Sequence, residues 1–248
     1  MDSLFTLEAL ISLITLTFME IVLGIDNIIF ISIVAGKLPR EQETRARNIG
    51  LALALLFRIG LLLGITWIIG LTKPLFVIPA AGVEYTITSR DLILLLGGLF
   101  LIYKSTIEIH EKIEGHREEE LRKGKGATLA GVVFQIILLD MIFSIDSILT
   151  AIGLVKEVLI MIMAVIISIF VMMLAAGGIS RFINRNPTIK ILGLSFLLLI
   201  GFMLALEGLP DQLSIHVPKG YIYFAIFFSL GVEMLNMRMR KKSLKVEV

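Results

Sequence analysis

Thr17-Phe-Met-Glu20-Ile-Val-Leu-Gly24-Ile-Asp26-Asn27-Ile-Ile-Phe30 sets two carboxylates into an apolar run, and Ile137-Leu-Leu-Asp140-Met-Ile-Phe-Ser144-Ile-Asp146-Ser147-Ile-Leu-Thr150 does so again. Glu20 returns as Asp140 and Asp26 as Asp146, each 120 residues later, with Gly24/Ser144 and Asn27/Ser147 at the same offset. An aspartate at the centre of a membrane helix costs roughly 2.5–3.5 kcal/mol on insertion scales. A chain that carries such acids in duplicate uses them.

The chain of 248 residues is 57% hydrophobic and 18% charged, with a mean hydropathy of +0.94. A soluble domain carries about 25% charged residues, so the composition is that of an integral membrane protein. No cysteine is present, which excludes disulfides, thiolate ligands and a cysteine nucleophile. The start, Met1-Asp-Ser-Leu-Phe-Thr6, lacks a basic leader and runs into an apolar stretch too long for a cleaved signal. That stretch is expected to stay in the bilayer.

Apolar runs fall at Leu7–Ala35, Ile49–Leu71, Leu92–Ile109, Ala127–Val155, Val158–Ile179, Ile189–Leu206 and Tyr221–Met237. A spanning helix needs about 20 residues, so the predicted fold is all-α with seven transmembrane helices. Pro39, Pro74, Pro187 and Pro210 punctuate the boundaries. With the N-terminus outside, inside segments hold 18 Lys and Arg and outside segments four (Lys73, Arg90, Lys156, Lys219), leaving Arg58 within a span. The excess predicts N-out, C-in.

Three helices separate the two acidic spans, so the second enters from the opposite side. The chain reads as an inverted repeat: residues 1–109 as the first three-helix unit and 127–208 as the second. Between them lies a charged cytoplasmic loop, 110–126, and residues 219–248 give the seventh helix and a basic cytoplasmic tail. In such folds sites lie near the midplane, where the repeats meet. Antiparallel packing of the acidic spans would bring Glu20 and Asp140 to one depth, with Asp26 and Asp146 each about 9 Å further along at 1.5 Å per residue. Glu20, Gly24 and Asn27 share a helix face, at i, i+4 and i+7. A local break at Gly24 and Ser144 is expected, to swing the second acid of each motif back to that face.

The ligand set is oxygen only: Glu20, Asp26, Asn27, Asp140, Asp146 and Ser147, with Gly24, Ser144 and Arg58 as possible support. Such donors suit hard divalent cations, Mn²⁺, Mg²⁺ or Ca²⁺. The spans contain no histidine or cysteine, which counts against zinc and copper. Arg58 reads equally as an ion partner in the site or a structural residue. Glu207 and Glu233 are ambiguous, Asp91 is a helix-start charge, and His110, His116 and His216 fall in solvated segments. Two other classes compete with transport: an assembly or metalation accessory protein that conducts no ion, and an intramembrane aspartyl protease. The settings of Asp26 and Asp146 lack a protease's glycine-flanked pattern, and Glu20 and Asp140 have no job there. The chain is therefore not expected to be an enzyme.

The motif Met19-Glu20-Ile-Val-Leu-Gly24-Ile-Asp26-Asn27, its echo Leu139 to Ser147, Arg90-Asp91-Leu-Ile-Leu-Leu-Leu-Gly97-Gly98-Leu-Phe-Leu-Ile-Tyr-Lys104 and Val217-Pro-Lys-Gly220-Tyr-Ile-Tyr-Phe224 resemble the TerC family, in its compact bacterial branch. The resemblance implies a multi-pass protein of the inner (plasma) membrane that transports metal ions, chiefly by manganese efflux. Glu20, Asp26, Asn27, Asp140 and Asp146 take the metal-pathway role by motif match. The partners implied are the lipid bilayer and a divalent cation carried as substrate, with no resident cofactor and no nucleic acid. The identity of the ion, the coupling and the oligomeric state stay open.

Overall fold

The computed structural model describes residues 6–80, 82–114, 127–155, 157–210, 212–213 and 218–246, with the backbone alone for Ile25, Asp26, Ala80, Lys219 and residues 241–246. The elements are α1 (Leu7–Ala35), α2 (Arg40–Leu63), α3 (Ile65–Gly70), β1 (Pro74–Ala80), β2 (Val83–Thr88), α4 (Ser89–Ile113), α5 (Leu129–Leu154), α6 (Val158–Arg185), α7 (Pro187–Glu207) and α8 (Lys219–Val246). Seven of these helices are long and apolar enough to cross a bilayer.

Local chemistry sets several helix starts. Thr6 and Thr128 accept the backbone N–H three residues on, from Ala9 and Gly131. Thr88 and Asp91 form a reciprocal capping box, which gives Asp91 the helix-start role expected of it. Pro187 opens α7, where its fixed φ suits a first turn.

Polarity is distributed inside out. Leu63, Leu96, Phe134, Leu174 and Phe224 are each 65–71% exposed, whereas Glu20 and Arg58 are 3% exposed. In water that arrangement would sacrifice the hydrophobic effect. In lipid it is the stable one, because the outer surface faces acyl chains and the polar groups find partners within.

Helix pairing is specific. The most extensive packing joins α4 to α7, α1 to α6 and α2 to α5. Small residues let α4 and α7 close up: a Cβ at Gly98 would lie 2.5 Å from the Gly201 carbonyl oxygen, and one at Gly208 would lie 2.6 Å from that of Asp91. These contacts run antiparallel. By contrast α1 and α6 run parallel, with Gly24 against Met172 and Gly36 against Asn184. Parallel too are α2 and α5, where Gly50 meets Ile136 and Arg58 meets Asp140.

Two expectations are corrected. The break at Gly24 and Ser144 is absent: α1 and α5 are continuous helices. Gly24 instead makes room for the Met172 side chain, and the Ser144 hydroxyl donates to the Asp140 carbonyl one turn back, 2.5 Å. The second span starts earlier than Ile49, because the polar turn from Arg40 is already helical, and it gives way at Gly64 to the short α3. The fold is all-α as expected, with one small addition: between α3 and α4 the chain forms a two-stranded antiparallel hairpin, β1 with β2. Gly82, at φ 80, supplies the left-handed residue of its turn. The third helix does extend beyond Ile109, to Ile113. The rest of the charged loop, residues 115–126, lies outside the described residues.

Candidate functional site

Glu20 lies near the middle of α1, Arg58 on α2 and Asp140 near the middle of α5. Arg58 joins the other two. Its Nη1 donates to Glu20 Oε2 at 2.5 Å, its Nη2 to Asp140 Oδ1 at 2.8 Å, and its Nε lies 3.2 Å from both Asp140 oxygens. The guanidinium fork matches a carboxylate in this way because it is planar and carries five donors. Asn27 Nδ2 donates to Asp140 Oδ1 at 3.3 Å, and Ser144 Oγ lies 3.1 Å from Asp140 Oδ2. Every carboxylate in this group is at least nine-tenths buried, so solvent screens none of the pairing.

The expected meeting of the two first acids is therefore found. Helices α1 and α5 cross in opposite senses, since Leu16 borders a small apolar space with Ile148 and Ala151 while Asn27 reaches back to Asp140. Glu20 and Asn27 share the interior face, as their spacing requires. Arg58 pairs with these two acids and not with a backbone carbonyl.

Asp146 occupies a different place. Its Oδ1 accepts from Arg90 Nη2 at 2.7 Å. A cavity of about 60 Å³ lies on one side of it, lined among others by Arg58, Ser147, Glu207 and Tyr223. That is room for about two waters at roughly 30 Å³ each. On its other side an open depression of about 420 Å³ is lined by Thr72, Thr88, Arg90, Asp91, Leu149 and Thr150. Asp146 thus stands between the interior and the hairpin end of the bundle. Ser147 faces the inner cavity, and its hydroxyl donates to the Ser144 carbonyl at 3.3 Å.

Ties cross the opposite end. Glu108 on α4, 2% exposed, takes Lys37 from the end of α1 and Lys104 from its own helix. Glu43 on α2 accepts from Ser180 at 2.6 Å and Asn184 at 3.1 Å, both on α6.

The Asp26 side chain lies outside the described residues. Among the described residues, no three carboxylate or imidazole side chains gather closely enough to enclose a metal ion. Arg90 was missed as a site residue, because it entered only as an outside charge and as the start of a family-like stretch. Its position beside Asp91 at the start of an apolar helix was the available signal. Glu207 and Glu233 separate: Glu207 lines the inner cavity, whereas Glu233 lies in a groove between α7 and α8.

A bundle of apolar-skinned helices closed around paired buried charges defines a polytopic membrane protein with an intramembrane polar centre. The chain belongs to the integral membrane protein TerC family, which it matches over residues 5–246. It is 54% identical over 236 residues to the UPF0053 inner membrane protein YgdQ of Escherichia coli K12, covering 95% of each chain. A UPF0053 protein of Haemophilus influenzae is 50% identical, over 94% of this chain and 95% of that one. The UPF0053 inner membrane protein YoaE of E. coli K12 is 46% identical over 94% of this chain but only 43% of its own length. No solved structure matches the chain. The two E. coli relatives are named inner membrane proteins, and with its seven candidate spans this chain is a multi-pass inner-membrane protein.

Proposed function

We propose that the chain transports divalent metal cations across the inner membrane, with Mn²⁺ as the ion it exports. The observation that carries this reading is the meeting of Glu20 and Asp140, one from each acidic motif, inside the bundle. Apart from Arg58, the groups at the pair that could ligate a cation are oxygens, those of Glu20, Asp140, Asn27 and Ser144, which suits a hard cation over a soft one. Asp26, by motif match, and Asp146, at the mouth of the inner cavity, extend the carboxylate path.

The inverted-repeat reading draws support from the helix pairing. Exchanging α1, α2 and α4 with α5, α6 and α7 turns the α1–α6 contact into the α5–α2 contact, both parallel, and the α4–α7 contact into itself. With the N-terminus outside, the depression at Asp146 faces outward and the ties at Glu108 and Glu43 face the cytoplasm. The described conformation then corresponds to a carrier open to the outside.

A protease reading fits poorly, because Asp146 is held by Arg90 and so is not poised to share a proton with a second aspartate. Metal-dependent thermal stabilisation of the purified protein tests the transport reading, since a ligand that binds only the folded state stabilises it by about 2.7 kcal/mol at a hundredfold excess over Kd. Mn²⁺ should raise the Tm at lower concentration than Ca²⁺ or Zn²⁺. Absence of a shift with every divalent ion would favour the accessory role.

A further inference from the structure

We infer that Arg58 is a tethered counter-cation, which holds the transport carboxylates while no ion is bound and has to leave them before a divalent cation can bind. The inference rests on the transport reading above and concerns how the same site is regulated.

Most of the acceptor directions of Asp140 are taken by Arg58 and Asn27. Its Oδ1 accepts from Arg58 Nη2 and Asn27, the Arg58 Nε–H is shared between Oδ1 and Oδ2, and Ser144 Oγ lies 3.1 Å from Oδ2. A carboxylate offers about four lone-pair sites over its two oxygens, and Arg58 Nε, Arg58 Nη2 and Asn27 Nδ2 already point at them, with the Ser144 hydroxyl packed against Oδ2. Glu20 is tied to the same guanidinium. An arginine does not escape by losing its proton, and a divalent ion at these oxygens would repel it. Displacement therefore means a swing of the side chain. The cavity of about 60 Å³ gives it somewhere to go, because Arg58 itself lines it together with Asp146 and Glu207. The guanidinium would pass from one set of acids toward another without becoming a bare buried charge.

This arrangement has a consequence for the transport cycle. With Arg58 engaged, the ion-free carrier does not carry two uncompensated buried carboxylates through its return step. Loss of Arg58 should bind metal more tightly yet strand the empty carrier.

The test uses Arg58→Gln in purified, full-length protein, with Mn²⁺ as the probe. The Mn²⁺ concentration that gives half of the maximal thermal stabilisation should fall about tenfold, equivalent to 1.4 kcal/mol. In proteoliposomes net Mn²⁺ movement should fall by a similar factor, while exchange of labelled for unlabelled Mn²⁺ persists. An unchanged or higher half-saturating concentration would overturn the inference, as would loss of exchange together with net movement. If Arg58→Gln does not fold, Arg58→Lys serves, because an ammonium cannot fork across both acids: a smaller shift in the same direction is expected, and no shift overturns the idea. A wild-type protein that responds to no cation would overturn the transport reading itself, and this inference with it. Wild-type binding without tightening in the variants would overturn the inference alone.

Discussion

Glu20 and Asp140, from motifs 120 residues apart, share one guanidinium: Arg58 Nη1 lies 2.5 Å from the first and Nη2 2.8 Å from the second. A buried ion group of this kind is costly to break and cheap to replace whole. Removing one partner of such a group costs about 3–5 kcal/mol, whereas exchanging all members for apolar residues is often neutral or stabilising. Arg58→Met should therefore lower the melting temperature substantially. The triple replacement Glu20→Leu, Arg58→Met, Asp140→Leu should recover most of it and carry no Mn²⁺. A triple variant that still moves Mn²⁺ would make the group purely structural.

Arg90 pairs with Asp146 between the inner cavity and the depression at the hairpin end. The sequence has no cysteine, so Ser147→Cys introduces a single reporter on the wall of the inner cavity. Adding Arg90→Gln should raise its reaction rate with a membrane-impermeant thiol reagent several-fold. An unchanged rate would mean that the Arg90–Asp146 pair does not control access.

The α4–α7 contact depends on missing side chains. At Gly201 a Cβ would stand 2.8 Å from Leu101 Cβ and 2.9 Å from the Gly98 carbonyl oxygen. Overpacking of a close contact costs about 1–3 kcal/mol, and here backbone has to yield. Gly201→Val should lower the melting temperature and broaden the size-exclusion peak, whereas Gly231→Ala, whose Cβ meets nothing within 4 Å, should do neither. Equal behaviour of the two would remove the small-residue contact from the account.

Orientation is open to the same cysteine chemistry. A cysteine at Glu84 in the hairpin should label from outside intact cells or spheroplasts. One at Glu114, at the far end of α4, should label only after the membrane is opened. The reverse pattern would invert the topology.

The spans were legible because each is a run of apolar residues near the length of a bilayer, and the paired acids were legible because nothing else explains charges there. Boundaries were less so. The polar turn Arg40–Asn48 looks like a loop by hydropathy yet is helical, since Glu43 finds partners across the bundle on Ser180 and Asn184. The hairpin escaped notice because Pro74 was read only as the end of a span, although Leu75 to Ile78 and the Gly82 turn were signals for one. The expected breaks at Gly24 and Ser144 inverted the logic of small residues in membrane helices. Here Gly24 admits Met172, and Ser144 bonds back to Asp140. Arg58 and Arg90 show a further limit, because pairing between helices depends on rotation and depth, which no single span encodes.

Flux through Glu20 and Asp140 tests the central claim most directly. Reconstituted wild-type protein should move Mn²⁺ across sealed vesicles, and Glu20→Gln and Asp140→Asn should each cut that movement at least about tenfold. Wild-type rates in both variants, with the proteins folded and inserted, would contradict it.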